Sequence, residues 1–234
     1  MTTKMLIDTH THIADPTGVD KIILIGTNLK DSQKVVATAQ TDEKIFASVG
    51  IHPEYSCENW EKFETLARQP KVVAVGECGL DYKSSSNHND QKIAFQKQIE
   101  ISQKLNLPLI IHSREATNEV LEILNQYQNL RGVFHFYNFG KSKIAKVLEM
   151  GFFFGLDGNL TYEVGLQNVA KLIPLEKILL ETDSPYLSPE PVQNSPNRPK
   201  NVKIIASFLS KLKSVSLEEI EKITSENAYS LFNF

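Results

Sequence analysis

Cysteine is nearly absent: Cys57 and Cys78 are the only two in 234 residues, too few for a disulfide framework. Long apolar runs are missing as well, and none approaches the ~18 residues that would suggest a membrane span. The opening MTTKMLIDTHTHI has no apolar core of the kind a signal peptide needs. Charge of either sign is in little excess. A net −3, with 25 Lys and Arg against 28 Asp and Glu, excludes a chain held on nucleic acid by bulk charge, so any such contact must be local. Glycine and proline, at 11 and 10, stay at ordinary levels, which excludes fibrous repeats and gives no sign of disorder. These absences lead to the expectation of a soluble globular protein of the reducing cytoplasm, free of membrane.

What is present is alternation. Short apolar, β-branched runs recur as MLID from Met5, KIILIG from Lys21, IFASVG from Ile45, VVAVGE from Val72, LIIHS from Leu109, GVFHF from Gly132, FFFGL from Phe152 and KILLETD from Lys177. Between most of them lie segments of helical spacing, such as DQKIAFQKQIEISQKLN (90–106) and ATNEVLEILNQY (116–127). That is the pattern of βα units around a parallel sheet, and eight units in this length predict an α/β fold, a (β/α)₈ TIM-like barrel spanning 1–234 as one domain. The tail from Lys200 reads as two or three further helices, one opened by a capping box at Ser216 and Glu219. Before it, SPYLSPEPVQNSPNRP (184–199) reads as a long loop.

One unit is short. Between the first strand and Lys21 stand only eight residues, IADPTGVD, where a parallel crossover with its helix needs at least about ten to twelve. The helix between the first two strands is therefore expected to be missing or reduced to one turn. The apolar face it would cover then needs the C-terminal helices or a second copy of the chain, which makes a homo-oligomer through that face an expectation.

The histidines mark the chemistry. His10, His12, His52, His112 and His135 all come at the end of a predicted strand, and so do Glu77 and Asp183. In a barrel of this kind all strand ends meet on one face. So many polar groups converging in a desolvated place would each need a separate partner, whereas metal ions serve them all. Four histidines and two carboxylates exceed one tetrahedral zinc and suffice for two ions, which can activate a bridging water and stabilise a leaving oxygen. Glu77 is suited to bridging the ions, and Asp183 to ligating one and accepting the proton of the water. Glu181, of the same strand parity as Asp183, is read as a buried partner to a ligand, and Asp8 as one that orients His10. Tyr82, Phe136, Tyr137, Phe139 and Tyr186 lie just beyond strand ends, where aromatic rings can either stack unpaired bases or pack under loops. Arg114 can fork onto a phosphate or pair with Asp81 or Glu115. Cys78 is expected to be buried and to point away from Glu77.

The stretches IDTHTH (7–12), VGIHP (49–53), VGECGLDY (75–82), PLIIHSR (108–114), GVFHF (132–136) and LLETDSPYLSP (179–189) resemble, in order and spacing, those of the TatD family of metal-dependent deoxyribonucleases among the amidohydrolase-like barrels. The resemblance implies one metal surrounded by His10, His12, Glu77 and Asp183. It implies a second, held by His112 and His135 and bridged by Glu77. Further implications are phosphate contacts from His52 and Arg114 and magnesium- or manganese-dependent cleavage of DNA, often 3′-to-5′ on single strands. Asn197 and Pro199 fit an Asn-x-Pro that the family carries after its last strand. The chain departs from the family where IADPTGVD replaces a helix and where FYNFG follows the sixth-strand histidine in place of a Cys-Phe-Ser-Gly-like turn.

The expected function is thus a metal-dependent phosphodiesterase acting on single-stranded DNA or DNA ends, with Asp183 and Glu77 catalytic and with His52, Arg114, Tyr82 and Tyr186 as substrate contacts. Zinc is expected to copurify, since imidazole-rich sites suit it, while magnesium or manganese supports turnover. The rivals are an ester or amide hydrolase, such as a D-aminoacyl-tRNA deacylase, and a catalytically silent interaction subunit.

Overall fold

A computed structural model describes residues 6–57, 59–84 and 86–234; Met5, with which the first apolar run begins, lies outside them. Eight parallel strands follow one another in chain order around a barrel: β1 (Ile7–Thr11), β2 (Lys21–Ile25), β3 (Ile45–Val49), β4 (Val72–Asp81), β5 (Leu109–Arg114), β6 (Gly132–Phe134), β7 (Phe153–Leu156) and β8 (Ile178–Leu180). The last strand returns to the first. Asp183 N–H donates to His10 O at 2.9 Å, Thr9 Oγ1 donates to Leu180 O at 3.1 Å, and Thr11 bridges Ser184 in parallel.

Helices alternate with strands as the apolar spacing dictates: α1 (Leu29–Ala39), α2 (Trp60–Ala67), α3 (His88–Leu105), α4 (Thr117–Leu124), α5 (Ile144–Glu149) and α6 (Val164–Ala170). Their starts follow local chemistry. Asn28 and Asn87 accept N–H bonds from the first turns of α1 and α3, and α3 stops where Asn106 turns left-handed at φ 54°. Two helices close the chain, α7 (Val202–Lys213) and α8 (Leu217–Phe232), the second capped by Ser216 accepting from Glu219 N–H at 3.2 Å.

Strand alternation sorts the apolar residues into two layers. Ile22, Leu24, Val49, Ile111 and Leu180 belong to the shell packed under the helices. Ile7, Ile23, Val73, Ile110, Val133, Phe153 and Leu179 form the inner core, joined by Ala228, Leu231 and Phe232 at the end of α8. The C-terminal helix therefore plugs the barrel.

No helix joins β1 to β2. Instead the Ile13–Asp20 segment folds back through reciprocal bonds, with Leu6 N–H donating to Asp20 Oδ2 at 2.6 Å and Asp20 N–H to Leu6 O at 2.8 Å. A 3₁₀ turn at Pro199–Asn201 packs beside β1, and Leu6 and Val19 are buried. Part of the face that the missing helix would have covered is thus taken up by the chain itself, through this turn and the burial of Leu6 and Val19.

Three local expectations are corrected. β4 does not end at Glu77 but runs on to Asp81, because the Cys78–Asp81 segment pairs with Ile111–Arg114 of β5. β8 ends at Leu180, three residues before Asp183. In β1 the pairing register shifts between Asp8 and Thr11, so Asp8 leaves the parity of His10. Its carboxyl accepts from Thr182 N–H at 2.9 Å and Thr182 Oγ1 at 2.6 Å, fastening β1 to the segment that follows β8 instead of orienting the His10 ring. The loop from Tyr186 to Arg198 has neither helix nor strand; Asn197 holds it by donating to Thr182 O and Tyr186 O, both at 2.8 Å.

Candidate metal centre

The strand ends bring His10, His12, Glu77, His112, His135 and Asp183 together, and His52 joins them from just beyond β3. Glu77 stands in the middle. Its Oε1 lies 2.7 Å from His112 Nδ1, 3.1 Å from His135 Nε2 and 3.9 Å from His52 Nε2, while its Oε2 lies 3.7 Å from His10 Nε2. Asp183 Oδ1 completes the other side, 3.5 Å from His10 Nε2 and 3.4 Å from His12 Nε2. Its residue takes a left-handed φ of 54°, which Asp tolerates better than most side chains.

These donors fall into overlapping groups with the composition of metal sites: His10, His12 and Glu77 on one side, and Glu77, His112 and His135 on the other. Donors bound at about 2.1 Å to one ion lie about 3.0–3.4 Å apart. The separations here, from 2.7 to 3.9 Å, bracket that range. His10 carries the test further, because it is fully buried and neither ring nitrogen has a hydrogen-bond partner. A buried imidazole without partners is costly unless an ion takes its lone pair. The residues present fit divalent metal.

Electrostatics agrees with that assignment. Burial, then the neighbouring His135, holds the His10 pKa well below its ordinary value, keeping its ring neutral. Burial works against ionisation of Glu77, yet the imidazoles of His135 and His112 overcome it and hold its carboxyl well below the usual range. Burial also opposes charge on His12, His112 and His135, but the facing carboxylates win and raise all three, His135 most of all through Glu77 and Glu181. Without metal, the facing carboxylates favour protons on these rings.

A second ring of side chains supports the first. Glu181, fully buried, places Oε1 at 3.3 Å from His135 Nδ1 and accepts the Phe136 N–H at 2.6 Å. It fits only because residue 155 is glycine: a Cβ there would stand 2.4 Å from Glu181 Oε2. Asp81 Oδ2 lies 3.2 Å from His112 Nε2 and 3.8 Å from an Arg114 guanidinium nitrogen. Asp81 entered the sequence reading only as a partner for Arg114, although Glu77, Gly79 and Asp81 share strand parity, which is the signal that finds it. Asp157, buried at the end of β7, was not singled out at all. Burial, then the neighbouring Glu181, raises its pKa well above the usual carboxylate value.

The remaining candidates lie at the rim. His52 accepts the Glu54 N–H on Nδ1 at 3.2 Å, so its neutral ring carries the proton on Nε2, facing Glu77. Arg114 is half exposed. Tyr186 is 61% exposed and meets His12 edge-on at 6.2 Å between centroids. Tyr82 turns aside: its ring stacks on His88 at 3.9 Å and its hydroxyl bonds Glu119. Tyr137 and Phe139 are buried under the loop, packed on each other and on Phe154 or Phe134, which makes them structural. Cys78 is buried in the outer shell, and burial pushes its thiol pKa up.

The sequence profile of one family, described as TatD related DNase, matches residues 7–233. An uncharacterized metal-dependent hydrolase, YabD of Bacillus subtilis (strain 168), is 32% identical over an alignment of 253 positions that covers 97% of this chain and 99% of that protein. The 3′-5′ ssDNA/RNA exonuclease TatD of Klebsiella pneumoniae (strain 342) is 32% identical over 230 residues, covering 92% of this chain and 87% of its own length. Among solved structures, YJJV, a TatD homologue from Escherichia coli K12, superposes with a TM-score of 0.91 at 28% identity, covering 98% of each chain.

Proposed function

This chain belongs to the TatD-related DNase family of metal-dependent hydrolases, and from that premise we propose that it cleaves phosphodiester bonds of DNA from the 3′ end of single strands. The observation that carries the proposal is the pair of donor groups sharing Glu77, with one carboxylate oxygen turned to His112 and His135 and the other to His10. We assign His10, His12, Glu77 and Asp183 to one divalent ion and Glu77, His112 and His135 to a second.

Bound there, two such ions supply an activated water and stabilise the leaving oxygen of a hydrolysis. The rest falls to the side chains. Asp183, 15% exposed at its side chain, is open to the cavity mouth, so its carboxylate accepts the proton of the attacking water. His52, with its Nε2–H facing the centre, donates to a phosphate oxygen. Arg114, half exposed and 3.8 Å from Asp81, offers a guanidinium fork to a second oxygen of the same phosphate. Tyr186 presents an exposed ring beside His12 for an unpaired base. The metals in turnover are magnesium or manganese, with zinc favoured at purification by the imidazole-rich donor set. Residues 1–234 act as one unit. A cytoplasmic location accompanies this proposal; among the described residues no helix is long and apolar enough to cross a membrane.

The test is digestion of 3′- and 5′-labelled single-stranded oligonucleotides in magnesium, manganese or EDTA, with Asp183→Asn as control. Laddering from the 3′ end that needs metal and disappears in the variant is the expected result, the loss in rate being about 10²–10⁴-fold for a general base. Intact DNA from metal-loaded protein that still hydrolyses a p-nitrophenyl ester would transfer the assignment to ester or amide substrates, D-aminoacyl-tRNA first among them.

A further inference from the structure

Beside the candidate metal centre, the mouths of β4, β5 and β6 leave a cleft of about 540 Å³. Tyr82, Asn118, Asn138, Phe139, Gly140 and Lys143 are among the residues that line it. The chain itself ties the cleft to the centre: Tyr82 follows Asp81, Glu115 follows Arg114, and Asn138 comes three residues after His135. Whatever occupies the cleft is a near neighbour of a phosphate held at the metals.

Its lining is mixed in a particular way. Tyr82 is half-buried and held still: one face of its ring stacks on His88, which does not line the cleft, and its hydroxyl bonds Glu119, which also pairs with Lys92. Phe139, itself buried under the loop, borders the cleft, and the exposed amides of Asn118 and Asn138 make no hydrogen bond among the described residues. Helix α4 begins here with Ala116 at its cap position, where no side chain accepts from the first turn. Lys143 brings one positive charge to a lining that also holds the carboxylates of Glu115 and Glu119, the latter paired with Lys92. An aromatic ring suits the flat face of a base, and free amides, each both donor and acceptor, suit its edge whichever base is present.

We propose that this cleft is a nucleobase subsite, taking the unpaired base of a nucleotide that flanks the phosphate at the metal centre; this rests on the nuclease reading above. A base within a duplex has its edge paired and its faces stacked, so it cannot enter. The subsite therefore imposes a preference for single strands or frayed ends without selecting a sequence.

The experiment measures KM and kcat separately on a single-stranded oligonucleotide and on copies carrying an abasic tetrahydrofuran spacer on either side of the 3′-terminal linkage. The proteins are the wild type, Tyr82→Ala, Tyr82→Phe and Gly140→Phe. Gly140 is a suitable place to fill the cleft, since its φ is −65° and a Cβ there meets nothing within 4 Å. In the wild type the spacer at one of the two positions raises KM about tenfold, within the range that stacking of one base gives. Tyr82→Ala and Gly140→Phe raise KM for the intact oligonucleotide by a similar factor, and the spacer then costs nothing more; Tyr82→Phe behaves as wild type. Zinc content and melting temperature check that each variant is folded and loaded. A wild type indifferent to the spacer, or a spacer that costs the variants as much as the wild type, overturns the subsite while leaving the nuclease standing. A wild type that cleaves no oligonucleotide in any metal overturns the nuclease reading, and the subsite with it.

Discussion

Glu181 Oε1 lies 3.3 Å from Nδ1 of His135, whose other ring nitrogen faces Glu77 at 3.1 Å. The pair meets as charges without an aligned hydrogen bond, yet a carboxylate behind a ligating imidazole makes it a better donor, and removing such a partner typically costs about 10–100-fold in metal affinity. Glu181→Gln keeps an acceptor for the Phe136 N–H but loses the charge, so zinc affinity is expected to fall by about that factor in competition with a chromogenic chelator. Gly155→Ala should move affinity the same way without touching any donor, because its Cβ would displace Glu181.

Metal binding should also weaken steeply in mild acid. The pKa values of His12, His112 and His135 are all raised in the metal-free site, so protons compete for these rings at a higher pH than for ordinary histidines. Affinity is therefore expected to drop as pH falls through the raised values toward the ordinary histidine range, by about tenfold or more per unit once two or more rings titrate together. Zinc titrations at fixed ionic strength, with proton release followed in weak buffer, check both the slope and the number of rings involved. An affinity unchanged over that span would mean that these imidazoles are not the donors.

Asp157 gives a stability prediction of the opposite kind. Its carboxyl is buried and its folded-state pKa raised, so the contribution it makes to stability is complete below the ordinary carboxylate value and is lost as pH rises through the raised one. Asp157→Asn keeps an oxygen for the Asn159 N–H that Asp157 now accepts at 2.9 Å, and it has no proton to lose. In EDTA the variant is expected to gain on the wild type from about pH 4 upward, by at most about 1.4 kcal/mol per pH unit. Urea unfolding of both proteins across pH 4 to 8 measures the divergence; parallel curves would refute it.

The site was legible in the sequence wherever a strand end carried a histidine, because a parallel barrel gathers strand ends on one face whatever lies between them. His10, His12, His112 and His135 needed only that rule. Asp81 was harder to see because Gly79 interrupts the apolar pattern after Glu77, so the strand looked finished four residues early. Asp8 was misread because a register shift is a matter of pairing with neighbouring strands, which no periodicity within one strand reveals. Aromatic residues of the FYNFG loop looked alike in sequence, yet Tyr137 is 1% exposed and Phe136 partly open. Burial under a loop depends on the loop's path. The missing first helix was legible from chain length alone, but what closes its place was not, since the answer lies in residues 199–201, some 180 positions further on.

A still longer stretch of sequence separates the barrel's floor from the first two strands that it seals. Phe232, 3% exposed, joins the inner core with Ile7, Ile23 and Leu179, and Phe234 packs edge-on against Phe46 at 4.7 Å. These contacts sit at the end of the barrel opposite the metal donors, where a barrel fold carries stability instead of chemistry. Phe232→Ala is therefore expected to cost about 3–5 kcal/mol by leaving a cavity in a packed core. Zinc affinity at 15 °C, below the lowered melting transition, should stay within about twofold of the wild type, since distant sites act independently. Calorimetry and chelator competition on the same preparation separate the two quantities. If affinity fell together with stability, the floor and the mouth of the barrel would be one cooperative unit, and the α8 plug would hold the donors in place from below.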